Sequence, residues 1–280
     1  METGQKLMAI TNKIDSIKSN KNLSIQISLN GLSFCILNTE SNTVVFLKEI
    51  STKKRETPFK ILDLLIETFE TEKALQTAFN EIHVIHENEL ATLVPESLFQ
   101  EENLADYLKF NSKILRSDFI SFDKIESNKS VNVYVPYVNI NNYIYEQFGV
   151  FSYKHFSTVL IETILEKEQT ETDIKMYVHV QSSHFEIVVV NQGQLILYNS
   201  FEYITKEDFI YYVLFTAEQL QLNPDELILV FLGKVSDNDE LHKIAYKYIR
   251  HIRFAKRHDT FKYLEKPESN HAFFTLIHSL

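Results

Sequence analysis

Apolar and polar residues alternate with a period of two near the start of the chain and again in its middle. Residues 24–37 read SIQISLNGLSFCIL, and residues 177–190 read YVHVQSSHFEIVVV. With an offset of 153 positions the apolar positions of the two stretches coincide, whereas their central turns, SLNG and QSSH, differ. Such alternation around a short polar turn predicts two β-hairpins. The repeated pattern indicates that the chain contains two copies of one unit.

The first copy is predicted to follow the order βββαβαβα, with extra material between residues 72 and 130. A proline that opens an apolar pattern of helical period marks the first helix at Pro58. The other predicted elements are strands at Asn22–Leu29, Leu32–Asn38, Thr43–Glu49, Val131–Val135 and Ser152–Phe156, and helices at Asn139–Phe148 and Ser157–Lys167.

The second copy repeats this order without comparable extra material. Strands are expected at Lys175–Gln181, Phe185–Asn191, Gln194–Phe201, Leu227–Leu232 and Ile252–Ala255. Three helices are expected. The first spans Thr205–Leu220, the second begins at a capping box of Asp237 and Glu240 and runs through Ile249, and the third is the closing segment HAFFTLIHSL. Right-handed crossovers would give each half a mixed five-stranded sheet, with the two sheets facing one another across a cleft. The predicted domains are an N-terminal segment (1–20), a first half (21–170, insertion at about 72–130) and a second half (171–280).

The amino-acid composition argues against several classes of protein. Five glycines in 280 residues, against about twenty at average usage, argue against glycine-rich phosphate loops, which need backbone that approaches a ligand closely. Cys35 is the only cysteine and excludes an internal disulfide. No apolar run reaches the ~20 residues that span a bilayer, and the N-terminus lacks a secretory pattern. We therefore expect a cytoplasmic protein.

The order of elements resembles the actin-like ATPase superfamily, and within it the FtsA and PilM branch. The segments that carry this resemblance are EIHVIHENELATLVPESLF, similar to the inserted subdomain of that branch, and VNVYVPYVNINNYIYEQFG with YKHFSTVLIETIL, similar to the end of its first half. The whole chain also resembles an uncharacterised, Bacteroidetes-type bacterial family, a domain of unknown function described as actin-like. The resemblance implies a duplicated, ribonuclease H-like α/β fold, an FtsA/PilM-type insertion in the first half, and a cleft that binds ATP and magnesium.

The two hairpin turns depart from the superfamily pattern. The superfamily carries Asp-x-Gly in each hairpin, where this chain has Ser28 and Asn30 (with a displaced Gly31) and then Gln181 and Ser183. The adenosine-side Gly-Gly becomes Gly233-Lys234. Magnesium prefers carboxylate ligands, which neither serine nor glutamine supplies. The short QLNPDE connection also leaves no room for the second-half subdomain of the superfamily. We therefore expect a degenerate nucleotide site, no catalytic residues, no metal ligands and no cofactor.

Charge suggests one further surface. The net charge is −10, yet residues 242–262 carry a balance of +6, so the rest of the chain sits near −16. A candidate docking patch comprises Lys243, Lys247, Arg250, Arg253, Lys256 and Arg257. The simpler interpretation of these residues is a solvated basic face. The more specific one is a surface that binds RNA or an acidic protein.

Three functions remain open from the sequence. The leading hypothesis is a non-catalytic actin-like scaffold or assembly factor that binds an unidentified protein partner near the inserted subdomain, as similarity to PilM and FtsA implies. The first alternative is a divergent nucleotide-binding ATPase or kinase with an altered ATP–magnesium site. The second is an RNA-associated factor that uses the basic face at 243–257.

Overall fold

A computed structural model describes residues 19–110, 112–257 and 259–280. The predicted N-terminal segment therefore lies almost entirely outside the described residues. Within the described part of the chain, no helix combines the length and apolarity that crossing a bilayer requires.

The first half contains two sheets and four helices. Its elements, in chain order, are β1 Lys21–Ser28, β2 Gly31–Asn38, β3 Thr43–Ser51, α1 Pro58–Thr71, β4 Glu81–His86, β5 Ala91–Pro95, α2 Leu104–Leu108, β6 Ser121–Ile125, β7 Ser130–Tyr134, α3 Val138–Phe148, β8 Ser152–His155 and α4 Phe156–Glu168. Alternation of buried apolar residues drives the hairpin of β1 and β2, and Thr57 caps α1 by accepting a hydrogen bond from the Lys60 backbone N–H.

The second half repeats the hairpin and crossover pattern. Its elements are β9 Lys175–Val180, β10 His184–Asn191, β11 Gln194–Glu202, α5 Lys206–Gln219, β12 Ile228–Gly233, α6 Glu240–Tyr248, β13 His251–Phe254, β14 Lys262–Tyr263 and α7 Phe274–His278. A capping box of Thr205 and Asp208 starts α5. The connection from α5 to β12 is short, as the sequence predicts, so this half carries no inserted subdomain there.

Three sheets result from these strands. The large sheet of the first half has the order β14-β3-β2-β1-β4-β8, and that of the second half has the order β11-β10-β9-β12-β13. Both are mixed, because antiparallel hairpins adjoin parallel crossover strands. The third sheet, β5-β7-β6, is antiparallel and has α2 over its core, and Ile125 of β6 packs against α4. The duplicated architecture with facing sheets is thus confirmed.

The last helix of each half packs against the sheet of the other half. Phe156, Leu160 and Ile164 of α4 pack in one core with Val188 and Val230 of the second sheet. Leu276 and Ile277 of α7 pack with Cys35, Leu37 and Val44 of the first sheet. The remaining faces of the sheets are covered by α1 and α3 in the first half and by α5 and α6 in the second. The halves are therefore joined by shared cores.

Three details differ from the sequence predictions. The fourth strand of the first sheet is β4, which pairs in parallel with β1, whereas Ser130–Tyr134 belongs to the small sheet. The strands of the insertion thus lie within 91–134 rather than 72–130. The first sheet has six strands rather than five, because β14 crosses over to pair with β3. Finally, Asp239 rather than Asp237 precedes the first residue of α6, and its carboxylate accepts a hydrogen bond from the Ser236 N–H.

Candidate functional site: the cleft between the two hairpins

The two predicted hairpin turns lie at one end of the cleft and touch each other. Ser28 and Gly31 close the first hairpin, while the Gln181 N–H donates to the His184 carbonyl to close the second. The side-chain amide of Asn30 donates to the Ser183 hydroxyl at 3.3 Å. A direct hydrogen bond therefore joins the two turns.

The cleft between the halves has a volume of about 940 Å³. Six of the seven residues predicted for the degenerate site line it, and Ser183 lines a small adjoining pocket. The six are Ser28, Asn30, Gly31, Gln181, Gly233 and Lys234. The structure thus brings together the residues that the sequence singles out.

Acidic side chains outnumber lysines along the cleft. Its charged lining residues are Glu49, Glu87, Asp239, Glu265, Glu268, Lys234, Lys266 and His184. Lys234 reaches across the cleft and forms an ion pair with Glu49 of the first half. Its charge is therefore partly neutralised by a neighbour within the protein.

A buried network of charged groups spans the two halves beside the turns. Nε2 of His184 lies 3.3 Å from Oε1 of Glu87 and 3.2 Å from Oε1 of Glu186. Glu186 also contacts His179, with 3.0 Å between Oε2 and Nδ1. On the opposite side, the Gln26 side-chain amide donates to Oε2 of Glu87 at 2.6 Å. The network connects β1, the end of β4, β9 and β10.

The carboxylates hold His184 in its charged form. Burial of the ring opposes the charge, but Glu186 and Glu87 outweigh it and raise the pKa of His184 to about 11. Burial likewise opposes ionisation of Glu186, yet the two neighbouring histidines lower the pKa of its carboxyl group to about 2. Near neutral pH the network therefore consists of an imidazolium between two carboxylates.

Gly233 is the last residue of β12, the fourth strand of the second half. Its φ is +77°, and a Cβ atom there would lie 2.3 Å from the Val180 carbonyl oxygen. Its N–H donates to the His271 carbonyl at 3.0 Å, and the following N–H, of Lys234, donates to the Val180 carbonyl at 2.7 Å. Packing within the protein explains this glycine, and both N–H groups already have partners.

The C-terminal segment forms part of the cleft wall. Residues 265–269 and 272–275 line the cleft, and the Thr275 hydroxyl donates to Oε1 of Gln26 at 2.7 Å. This segment connects β14 on the first sheet to α7. The segment therefore forms part of one side of the cleft.

The candidate basic patch is divided between different surfaces. Lys243 and Lys247 line a groove beside α6, whereas Arg253 lines a separate groove at the other end of the second sheet. Arg250 and Lys256 are exposed. Arg257 is turned inward: its guanidinium stacks over the Tyr263 ring at 4.4 Å and donates to the Ser269 carbonyl. It therefore does not extend the positive surface.

Sequence reasoning missed the acidic partners of the two histidines. Glu186 interrupts an otherwise apolar strand, and the hairpin register places it directly opposite His179. That signal was available in the sequence. Glu87 and Gln26 could not be inferred in this way, because Gln26 contacts Glu87, and Glu87 reaches His184 only after the two halves dock. Among the described residues, no group of three or more His, Cys, Asp or Glu side chains is arranged to hold a metal ion.

Comparisons with known proteins agree on the fold. A protein from Bacteroides thetaiotaomicron with an actin-like ATPase fold and unknown function is 26% identical, with a TM-score of 0.72, and the match covers 86% of this chain and 93% of that one. The PilM–PilN type IV pilus biogenesis complex is 10% identical, with a TM-score of 0.58 over 92% of this chain and 96% of that one. The ethanolamine utilization protein EutJ from Carboxydothermus hydrogenoformans is 7% identical, with a TM-score of 0.50 over 92% and 88%. No curated protein matches the chain.

The family comparison gives the classification. A family model described as "Protein of unknown function (DUF3822)" matches residues 11–252, which is most of the chain. The fold, the facing hairpins and this match lead to one conclusion: the chain belongs to the DUF3822 family and has the actin-like ATPase fold.

Proposed function

We propose that this protein is a cytoplasmic, non-catalytic actin-like scaffold that binds a protein partner and does not turn over ATP in its cleft. The single observation that carries this proposal is the hydrogen bond between Asn30 and Ser183. It draws together the two hairpin turns between which the phosphates and metal of an actin-like ATPase would have to lie. A nucleotide would need to break this contact before it could bind.

The charges of the cleft support the same proposal. Magnesium binds nucleotide phosphates with the help of carboxylates that hold the metal or its water ligands. The turn residues Ser28 and Gln181 are neutral, and the nearby Glu87 is engaged by His184 and Gln26. An acidic lining without a bound metal repels phosphate groups. The residues present therefore fit the ATP–magnesium group poorly.

The inserted sheet β5-β7-β6 is the surface that we propose for the partner. Its loops and helix expose four large apolar side chains, those of Leu98, Phe110, Leu115 and Phe119. Phe110 is 82% exposed. Exposed apolar patches are typical of protein-binding surfaces, and all four residues lie in the chain segment that carries the insertion. PilM, whose fold is similar, occurs in a complex with PilN, which supports a partner protein rather than a small substrate.

The partner-binding half of the proposal is tested by capture from lysate of the source organism. The wild-type protein, a Phe110→Lys/Leu115→Lys double variant and a Phe59→Lys control are compared, since Phe59 is exposed on α1 outside the insertion. We expect one or more proteins to be retained by the wild type and the control but lost from the double variant. Equal retention by all three proteins would place partner binding elsewhere. Nucleotide binding is tested separately, as described at the end of the Discussion.

A further inference from the structure

Residues 261–280, which we call the C-terminal strap, contain two short regular elements. β14 has two residues and pairs with β3 of the first sheet, and α7 has five residues. Between them the strap runs along the cleft wall. Elements this short have little stability of their own. The position of the strap therefore depends on its contacts with the two halves.

Hydrogen bonds tie the strap to both sides of the cleft. On the second half, the His271 carbonyl accepts from the Gly233 N–H at 3.0 Å, and Nε2 of its ring lies 2.7 Å from the Val235 carbonyl oxygen. On the first half, the Thr275 hydroxyl donates to Oε1 of Gln26 at 2.7 Å. Because the two anchor residues lie close together in sequence, a short piece of backbone bridges the halves.

The anchor on the first half leads into the buried charged network. Thr275 donates to Oε1 of Gln26, and the amide nitrogen of the same side chain donates to Glu87. The threonine hydroxyl thus fixes which side of the Gln26 amide faces the carboxylate. The Ser279 hydroxyl lies 2.6 Å from that of Ser24, which is also on β1. Detachment of the strap would therefore remove two polar contacts from β1.

The strap also covers one face of the first sheet. Cys35 of β2 is fully buried there, in a core with Leu37 and Val44. The members of this core that do not lie on β2 or β3 come from the strap; they are Phe261, Tyr263, Phe273, Leu276, Ile277 and Leu280. Burial in this core raises the pKa of the Cys35 thiol to about 12. The thiol is therefore protected for as long as the strap is attached.

Three features in and beside the strap oppose its attachment. Phe273, directly before α7, has a φ of +53°, a conformation that bulky residues rarely adopt. Nζ of Lys167 is buried 4.1 Å from the centre of the Phe274 ring and has no hydrogen bond among the described residues. Nε of Arg257 and Oδ2 of Asp259 are buried 3.6 Å apart, which is too far for a hydrogen bond. Strain and unsatisfied buried polar groups both lower the stability of this region.

We propose that the C-terminal strap is a releasable clamp, which detaches from both halves as one unit ahead of global unfolding, opens one side of the cleft and uncovers Cys35. Proteins open locally in contiguous units at free energies below that of global unfolding. The buried side chains of Leu276 and Ile277 keep the attached state the major one. Access to the cleft is thus controlled by a segment of the chain itself.

Thiol labelling of the full-length protein tests the proposal. Cys35 is the only cysteine, so its reaction with dithionitrobenzoate reports detachment without any engineered label. The labelling rate is measured against urea concentration, together with global unfolding. We expect labelling at urea concentrations well below the unfolding midpoint, with a weak dependence on urea, because local opening exposes little surface. A thiol that reacts only in step with global unfolding would overturn the proposal.

A matched pair of threonine variants locates the opening. Thr275→Val removes the hydroxyl of the strap, and Thr68→Val removes an equally buried hydroxyl that donates to the Leu64 carbonyl within α1. Without urea, Thr275→Val should speed labelling about fivefold, the effect of one hydrogen bond. Thr68→Val should lower the urea midpoint but leave this rate unchanged, since α1 packs on the opposite face of the sheet. Ser279→Ala should act like Thr275→Val and decides the question if that variant does not fold. Equal acceleration by the strap variants and Thr68→Val would contradict the proposal.

Discussion

His184 of the second half and Glu87 of the first half form an ion pair across the molecule, with 3.3 Å between Nε2 and Oε1. The same imidazolium contacts Glu186 of its own strand. His184 therefore neutralises one acidic group from each half at the point where the hairpins meet. This side chain therefore adds a polar contact between the halves to the cores that α4 and α7 share with the opposite sheets.

Loss of the His184 side chain should destabilise the fold strongly. His184→Ala leaves the nearly buried carboxylates of Glu87 and Glu186 without their shared cation. Removing one partner from a buried pair typically costs roughly 3–5 kcal/mol, which should appear as a lower free energy of unfolding in urea. His251→Ala is the control, because His251 is exposed and its loss should change stability by less than about 0.5 kcal/mol. A His184→Ala variant as stable as the control would mean that the network contributes little.

Stability should fall on the alkaline side because of the same residue. The folded-state pKa of His184, about 11, lies above its ordinary value of 6.5, because the carboxylates outweigh burial. Its contribution is therefore fully present below pH 6.5 and is lost as pH rises from 6.5 toward 11. The slope should approach about 1.4 kcal/mol per pH unit. Urea unfolding between pH 7 and 9.5 should show this slope in the wild type and its loss in His184→Gln; parallel curves for the two proteins would refute the assignment.

Gly233 is predicted to serve packing rather than a ligand. Gly233→Ala should lower the free energy of unfolding by more than Gly149→Ala. Both glycines have positive φ, 77° and 80°, but a Cβ atom at Gly149 has no neighbour within 4 Å, whereas one at Gly233 meets the Val180 carbonyl. The backbone strain alone costs on the order of 1–3 kcal/mol, so the difference between the variants measures the clash. Equal thermal shifts in the two variants would show that the contact relaxes without cost.

The sequence predicts the regular elements well because their signals are local. Period-two alternation locates β1, β2, β9 and β10, and apolar residues at helical spacing locate α1. β14 was missed because two residues carry no periodicity, and its pairing with β3 depends on where the chain end packs. β4 was placed in the insertion because the segment EIHVIH, read alone, does not reveal which sheet it joins.

The candidate site was likewise predicted only in part. The turn residues were found from the repeat, and the structure gathers them in the cleft. The buried network was not found, since Gln26 and Glu87 are distant in sequence and Glu87 meets His184 only when the halves dock. Only the pairing of His179 with Glu186 was readable, from hairpin register.

The most direct test of the central claim is a thermal melt of the purified protein with ATP or ADP at millimolar concentration, with and without magnesium. A ligand at 100 times its dissociation constant stabilises a protein by about 2.7 kcal/mol, which a melt resolves readily. We predict no shift under any of these conditions, because in the proposed function the turns joined by the Asn30–Ser183 hydrogen bond supply no carboxylate for magnesium. A clear magnesium-dependent rise in melting temperature, abolished by Lys234→Ala, would contradict the account and identify the cleft as an unconventional nucleotide site.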